Sequence, residues 1–401
     1  MTLPPRSQSL FRWREIPGSV WALGLVSLFM DLSSEMIHAL LPLYLVSVLG
    51  ASTLTVGFIE GIAEATASIT KIFSGALSDY LGRRKLLAAL GYGLAAFTKP
   101  VFPLASSIAC LTAARFVDRI GKGIRGAPRD ALVADLTPAN LRGSAYGLRQ
   151  SLDTIGAVLG PLLAIVFMAA LANNFTAVFW IAVVPAFVSL AIIVFAVREP
   201  GSLSNSRKMQ SPFSRAELGR LSTAYWLVVG VSAVFTLARF SEAFLLLRAQ
   251  SVGLQLTFVP IVMVVMNVVY TFSAWPAGAL SDRVDRYLVV AAGFGVLILA
   301  DLVLALGNGV VAVVMGVALW GLHMGLTQGL LAALVADTAP SELRGTAFGM
   351  FNLLSGIALL LASIIAGALW DVIGPSGTFL AGALITAVAL ATLPLVRRRV
   401  G

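Results

Sequence analysis

Asp31, Glu35 and His38 stand four and three residues apart in an otherwise apolar stretch, so on a helix they share one face. Glu60, Glu64 and Lys71 form a second stripe, spaced by four and seven. Arg115, Asp118 and Arg119 follow, then Arg149 with Asp153 and Arg239 with Glu242, while Asp301 and His323 stand alone. A charged side chain at the centre of a membrane helix costs roughly 2.5–3.5 kcal/mol on insertion scales, which makes each of these groups a functional candidate. A carboxylate that alternates between an arginine partner and a proton is a coupling device, and Glu35 or Asp31 with Arg115 is the expected pair. Static ion pairing is the plainer role, expected for Arg149–Asp153 and open to Glu64–Lys71. Asp31, Glu35 and His38 also offer the oxygen and nitrogen ligands that suit iron, manganese or cobalt. His38, expected at the outer end of its helix, is either a hydrogen-bonded packing residue or a participant in proton or metal binding. His323 carries the same two readings, and Asp301 is expected near the outer interface.

The elements that must hold these groups are membrane helices. Hydrophobic residues make up 58% of the 401 and charged residues 12%, against roughly 45–50% and about 25% in soluble domains. The mean hydropathy is +0.92. Stretches long enough to cross a bilayer core fall near 18–46, 54–78, 85–104, 107–127, 144–169 and 175–197, then 222–247, 257–280, 287–306, 309–333, 346–370 and 378–396. They predict twelve spans, an all-α membrane protein of two six-helix bundles, with both termini on one side. The loops on that side carry nearly all the Lys and Arg, and the opposite loops carry only Lys99 and Arg248. The positive-inside rule makes the terminal side cytoplasmic, so the net charge of +9 reflects topology and implies no nucleic-acid partner. Residues 1–197 and 222–401 are the expected bundles and 198–221 a linker between them. The single cysteine, Cys110, excludes an internal disulfide framework. A nucleotide-binding Gly-Lys-Ser/Thr loop and a Ser-His-Asp set are both missing, so an ion gradient is expected to supply the energy, with no cofactor and no enzymatic activity.

The two halves are copies. Gly75-Ala-Leu-Ser-Asp79 returns as Gly278-Ala-Leu-Ser-Asp282, and Ala131-Leu-Val-Ala-Asp135 returns as Ala333-Leu-Val-Ala-Asp337, at offsets of 203 and 202 residues. Internal repeats decide architecture, and a duplicated membrane bundle is the pattern of a secondary transporter with its site between the repeats. The copies differ in charge. Ser34-Glu35 recurs as Ser241-Glu242, but Glu64 corresponds to Asn267, Lys71 to Ala274 and Arg115 to Val317. Ion coupling is therefore expected in the first half, with Asn267, Tyr270 and Trp275 shaping a substrate site or packing.

The loop Gly75-Ala-Leu-Ser-Asp79-Tyr-Leu-Gly82-Arg83-Arg84-Lys85 resembles the signature between helices 2 and 3 of the major facilitator superfamily. Its second copy, through Asp282 and Arg286, has Asp285 in place of the glycine. Arg115 with the run to Gly123 is similar to the family's helix-4 motif. Gly156-Ala-Val-Leu-Gly160-Pro161 is similar to the helix-5 motif of its antiporters, without the glycine pair that usually follows. Glu35-Met-Ile before Pro42 is similar to helix 1 of some multidrug/proton antiporters. The resemblance implies a cytoplasmic latch at Gly75, Asp79, Gly82, Arg83 and Arg84, with Asp282 and Arg286 as its copy. Arg129, Asp135 and Arg142 are candidate gate contacts between the halves. The leading expectation is proton-coupled export of a small organic molecule by a monomer in the cell inner membrane. Three alternatives remain: a divalent-metal exporter of ferroportin type, proton-coupled uptake of an organic anion or siderophore favoured by Arg115, Arg119 and Arg239, and a membrane sensor that no longer transports.

Overall fold

The computed structural model describes residues 15–138, 141–198, 218–281, 283–340 and 343–400, apart from the side chains of Asp79 and of 395–400. All regular structure among the described residues is helical. The first half comprises α1 (Gly18–His38), α2 (Leu41–Ser47), α3 (Thr53–Leu81), α4 (Arg84–Thr98), α5 (Val101–Leu104), α6 (Ile108–Leu136), α7 (Arg142–Ala170) and α8 (Phe175–Phe195). The second comprises α9 (Thr223–Ala238), α10 (Ala243–Ser251), α11 (Ile261–Ser281), α12 (Arg286–Leu306), α13 (Val310–Thr338), α14 (Arg344–Ile373) and α15 (Pro375–Val400). Three pairs join end to end into one span each: α1 with α2, α4 with α5, and α9 with α10. Twelve spans result, as the hydropathy predicts.

Ten of these segments are long and apolar enough to cross a membrane. The other two, α3 and α6, are long enough at 29 residues each. They carry Glu60 and Glu64, and Arg115, Asp118, Arg119, Arg125 and Arg129, respectively, which lowers their hydropathy. The two most polar spans are thus the ones expected to build a site.

Local chemistry fixes the ends. Ser52, Ser107, Asn174 and Ser222 each accept a bond from the backbone N–H three residues on, satisfying donors that a helix start leaves free. Gly82 closes α3 with φ of 62°, a left-handed conformation that glycine adopts without a Cβ penalty. That requirement accounts for the glycine in the signature loop. Pro161 lies inside α7 and Pro276 inside α11, where each removes a backbone bond and bends its helix.

Packing repeats between the halves. α1 lies on α7 and α8, α6 on α3 and α4, and α4 on α8. In the second half α9 lies on α14 and α15, α13 on α11 and α12, and α12 on α15. The halves meet along two seams, α3 with α14 and α7 with α11, which the repeat also exchanges. The α3–α14 seam is closed by small residues. A Cβ on Gly57 would stand 2.1 Å from the Ser363 carbonyl oxygen, one on Gly61 3.0 Å from that of Leu360, and one on Gly367 2.5 Å from that of Thr53. Small residues let membrane helices approach closely where no hydrophobic force draws them together. Trp275, by contrast, is 81% exposed and points away from the interior, so it shapes no site.

The face holding the start of α1 and the end of α15 is the terminal face, and the other is the far face. Hydrogen bonds between described residues join the halves at the far face. Gln250 Nε2 donates to Ser47 Oγ at 2.8 Å and Thr257 Oγ1 to Asn173 Oδ1 at 2.6 Å. The Asp371 carboxylate accepts from the Thr53 backbone N, the Thr53 hydroxyl and the Leu54 backbone N at 3.1, 2.5 and 2.9 Å.

Candidate functional site

α3 and α6 both run from the far face toward the terminal face, and Glu60 and Arg115 are each the eighth residue of their helix. Parallel helices in register bring equal positions together. Arg115 Nη2 lies 2.7 Å from Glu60 Oε2, and one turn on Arg119 Nη1 lies 3.0 Å from Glu64 Oε1. Arg115 therefore pairs with neither Asp31 nor Glu35, and Glu64 pairs with Arg119 instead of Lys71. The reason is depth: α1 enters from the opposite face, which puts Asp31 nearer the terminal face than Arg115.

His38 joins the first rung. Its Nδ1 lies 3.4 Å from Glu35 Oε2 and its Nε2 3.5 Å from Glu60 Oε2. The span breaks after His38 and resumes at Leu41, so His38 is buried within the bundle and not at an outer end. Asp118 is held at 2.9 Å by Lys99, which also donates to Ser34 at 3.0 Å. This pair is buried and structural.

Toward the terminal face a second network gathers. Asp31 has Arg125 Nη2 at 3.8 Å and borders the same chamber as Asp153. Asp153 has Arg129 and Arg149 at 3.6 Å each. The expected Arg149–Asp153 pair is present, but as part of a group that includes Asp130, 3.2 Å from Arg129. Arg125 also covers the Tyr92 ring at 4.8 Å, a cation–π contact. The helix-5 glycines place this network. A Cβ on Gly156 would stand 2.7 Å from the Leu28 carbonyl oxygen and 3.1 Å from Asp31 Cβ, and one on Gly160 2.7 Å from Glu35 Cβ. These glycines let α7 lie directly against the face of α1 that carries the acids.

Both networks border a central cavity with two chambers. The terminal chamber, about 430 Å³, is lined by Asp31, Lys71, Lys122, Arg125, Asp153 and Tyr270 among others. The inner chamber, about 360 Å³, is lined by Glu35, His38, Arg119, Arg239, Glu242 and Trp320 among others. Glu35, Glu64 and Lys122 line both. Asn267 lines the terminal chamber while its amide donates to the Ala157 carbonyl across the α7–α11 seam at 3.1 Å. Arg239 and Glu242 lie at the break between α9 and α10. Lys71 and Lys122 make no ion pair with any described residue.

Other expected residues fall elsewhere. His323 is fully buried behind Trp320, against Phe235, with neither ring nitrogen bonded. Asp301 is fully buried rather than near an interface. Asp135 pairs with Arg84 at 2.6 Å in its own half, and the repeat returns the contact as Arg286 with Asp337. Arg129 points into the cavity, and Arg142 is exposed at the start of α7, so neither they nor Asp135 join the halves in this state. A Cβ on Gly75 would stand 3.4 Å from that of Ala127. The Asp79 side chain and Asp282 lie outside the described residues. No group of three His, Cys, Asp or Glu side chains placed to hold a metal occurs among the described residues.

Lys99, Lys122 and Arg125 are missing from a sequence-based site, and Asp153 enters it only as a static partner. Spacing reveals which residues share a face, and these four act across helices.

Twelve spans in two repeated bundles around a charged central cavity define a membrane transport protein. The Major Facilitator Superfamily matches residues 23–363 and 243–400, and the chain belongs to that family. It is 32% identical over 382 residues to the uncharacterized MFS-type transporter MJ1317 of Methanocaldococcus jannaschii, covering 94% of each chain. It is 31% identical over 143 residues to the multidrug resistance protein MdtH of Photorhabdus laumondii, covering 34% of each. The fold matches the nucleoside transporter NupG with a TM-score of 0.80 at 13% identity, over 94% of this chain and 99% of that one.

Proposed function

We propose that this chain is a proton-coupled secondary transporter that exports a small organic molecule by alternating access, in the cell inner membrane with both termini cytoplasmic. One observation carries the reading. Asp31 and Asp153, on two helices, line one chamber of the cavity with Arg125 and Arg129 beside them. A carboxylate beside an arginine at a cavity wall can exchange that partner for a proton, and Asp31 has Arg125 at 3.8 Å while Asp153 has Arg129 at 3.6 Å. Glu35, with His38 behind it, is a second exchangeable acid on the same wall. Similarity to the multidrug protein MdtH over a third of the chain supports export, as does the helix-5 motif, whose glycines abut Asp31 and Glu35. The Lys and Arg bias of the loops supports the orientation.

Purified protein in weak buffer tests this. Lipophilic cations, organic anions and divalent metals are added and proton movement is followed, with wild type beside Asp31→Asn, Asp153→Asn and Glu35→Gln. Exchange predicts proton release with an organic compound, lost in Asp31→Asn or Asp153→Asn. Binding without proton movement would overturn coupling. Lys71 and Lys122, which line the cavity without an ion pair to any described residue, favour a second reading, uptake of an organic anion together with protons. It predicts proton uptake on addition of an anion, and its loss in Lys122→Gln. We also propose that the two bundles, 1–197 and 222–401, move as units about the cavity.

A further inference from the structure

The second bundle holds a carboxyl group that the cavity chemistry does not use. Asp301 on α12 is fully buried, and neither of its carboxyl oxygens has a hydrogen-bond partner. Asp301 and the Phe240 ring converge on Gly382 of α15: a Cβ there would stand 2.7 Å from Asp301 Oδ2 and 3.2 Å from the Phe240 ring. Hydroxyls in this region are committed elsewhere, Ser376 to the Ala305 carbonyl and Thr386 to that of Gly382.

The internal repeat explains how the group came to be alone. At the offset of 202 residues, Lys99 corresponds to Asp301 and Asp118 to Trp320, while Ser34 corresponds to Ser241. In the first bundle Lys99 bonds both Asp118 and Ser34. In the second, a carboxyl takes the place of the ammonium and a tryptophan the place of its partner. Ser241 is turned to the Ala243 backbone N–H. Charged and titratable groups on the elements around it are few. The described side chains of α15 carry none, and α11 carries only Tyr270, which lines the terminal chamber. α13 brings His323 inward, and Arg248 of α10 donates to the Leu304 and Gly307 carbonyls at the end of α12. Arg239 and Glu242 sit at the break beside Phe240. None makes an ion pair or hydrogen bond with Asp301. A buried carboxylate without a cation or a donor is among the most costly groups a protein can hold, and it is avoided by carrying a proton instead.

Phe240 connects this site to the cavity. It stands at the break between α9 and α10, lines the inner chamber and packs on Trp320 and Phe379. We propose that Asp301 is a second proton-binding site, in the C-terminal bundle, covered here by Phe240 and opened to the inner chamber when the break in that span moves.

Its part in transport rests on the proton-coupled reading, but the site itself does not. Infrared spectroscopy of the full chain in nanodiscs tests it without any transported ligand. The protonated-carboxyl stretch of wild type should lose a component in Asp301→Asn and keep a shifted one in Asp301→Glu. Asparagine is neutral and nearly isosteric, so that variant should fold, and Asp301→Leu supplies a second neutral control. In heavy water the component should exchange slowly in wild type and at least about tenfold faster in Phe240→Ala, the cover removed. An Asp301→Asn spectrum identical to wild type would overturn the site. Equal exchange rates in wild type and Phe240→Ala would overturn the cover. A failed proton-release assay on Asp31 and Asp153 would sink the coupling reading and leave both results standing.

Discussion

Glu60 and Arg115 are almost wholly hidden from solvent, with side-chain exposures of 0% and 1%, and Arg115 has no other ion partner among the described residues. Removing one partner of such a pair leaves a buried charge and costs about 3–5 kcal/mol, whereas removing both costs far less. Glu60→Gln should therefore lower the thermal midpoint of the purified protein sharply, and Glu60→Gln with Arg115→Gln should recover most of the loss. Glu64→Gln is expected to cost less, because Glu64 is 30% exposed to the cavity and Arg119 keeps access to water. Equal destabilisation by the two single variants would show that burial does not separate the rungs. At this scale the sequence identified the right residues and assigned some of them the wrong partners. Asp31, Glu35, Glu64 and Arg119 do border the cavity, because charges in apolar spans are retained where water or a partner meets them. The pairing depends on how far each helix has run from its own face. Asp301 failed for a related reason: distance from a helix end sets depth in the membrane, and says nothing of whether a bundle interior or an interface lies beside it.

The helices meet through glycines, and the repeat makes the two kinds of seam comparable. Along α3 and α14 the backbones approach so closely that a single methyl group has no room at Gly57 or Gly367. Gly57→Ala should push α14 away from α3, at a cost of about 1–3 kcal/mol for overpacking. Gly147→Ala in α7, where nothing lies within 4 Å, should be neutral or slightly stabilising, since alanine is the better helix former. Thermal denaturation of the two variants side by side checks this, and equal midpoints would sink it. At Gly160 the methyl group would meet Glu35 Cβ at 2.7 Å, so Gly160→Ala should disturb proton movement more than stability. Spans and signature loops were legible in the sequence because hydropathy and glycine spacing act within one helix. The breaks at Ala39–Leu40 and at Arg239–Glu242 were not, since each lies inside a stretch long enough to be read as one span, with Pro42 the sign at the first. The depth of His38 was misjudged for the same reason.

For the whole molecule the repeat predicts two ways of closing the cavity, and only one is built from described contacts. At the far face the Asp371 carboxylate from the second half caps the start of α3 in the first, accepting from two backbone N–H groups and one hydroxyl. A carboxylate there meets the positive end of a helix dipole, and charge-assisted bonds of this kind are roughly twice as strong as neutral ones. The contact cannot persist when the far face opens, because α3 and α14 are the helices that must part. Alternating access therefore places Asp371 on the balance between the two states. Asp371→Asn retains the shape and removes the charge, and should move the population toward a far-open state. Cysteines at Ser47 and Gln250, which are hydrogen-bonded at 2.8 Å, report that opening in a background where Cys110 is replaced by Ser. A short bifunctional maleimide should join them efficiently when Asp371 is present. In Asp371→Asn the yield should fall by about half or more, as expected if roughly 1 kcal/mol is withdrawn from a balanced two-state equilibrium. Reduced yield together with a wild-type thermal midpoint would separate a shifted equilibrium from damage to the fold. An unchanged yield would mean that the glycine seam and the other far-face bonds hold the halves together without Asp371.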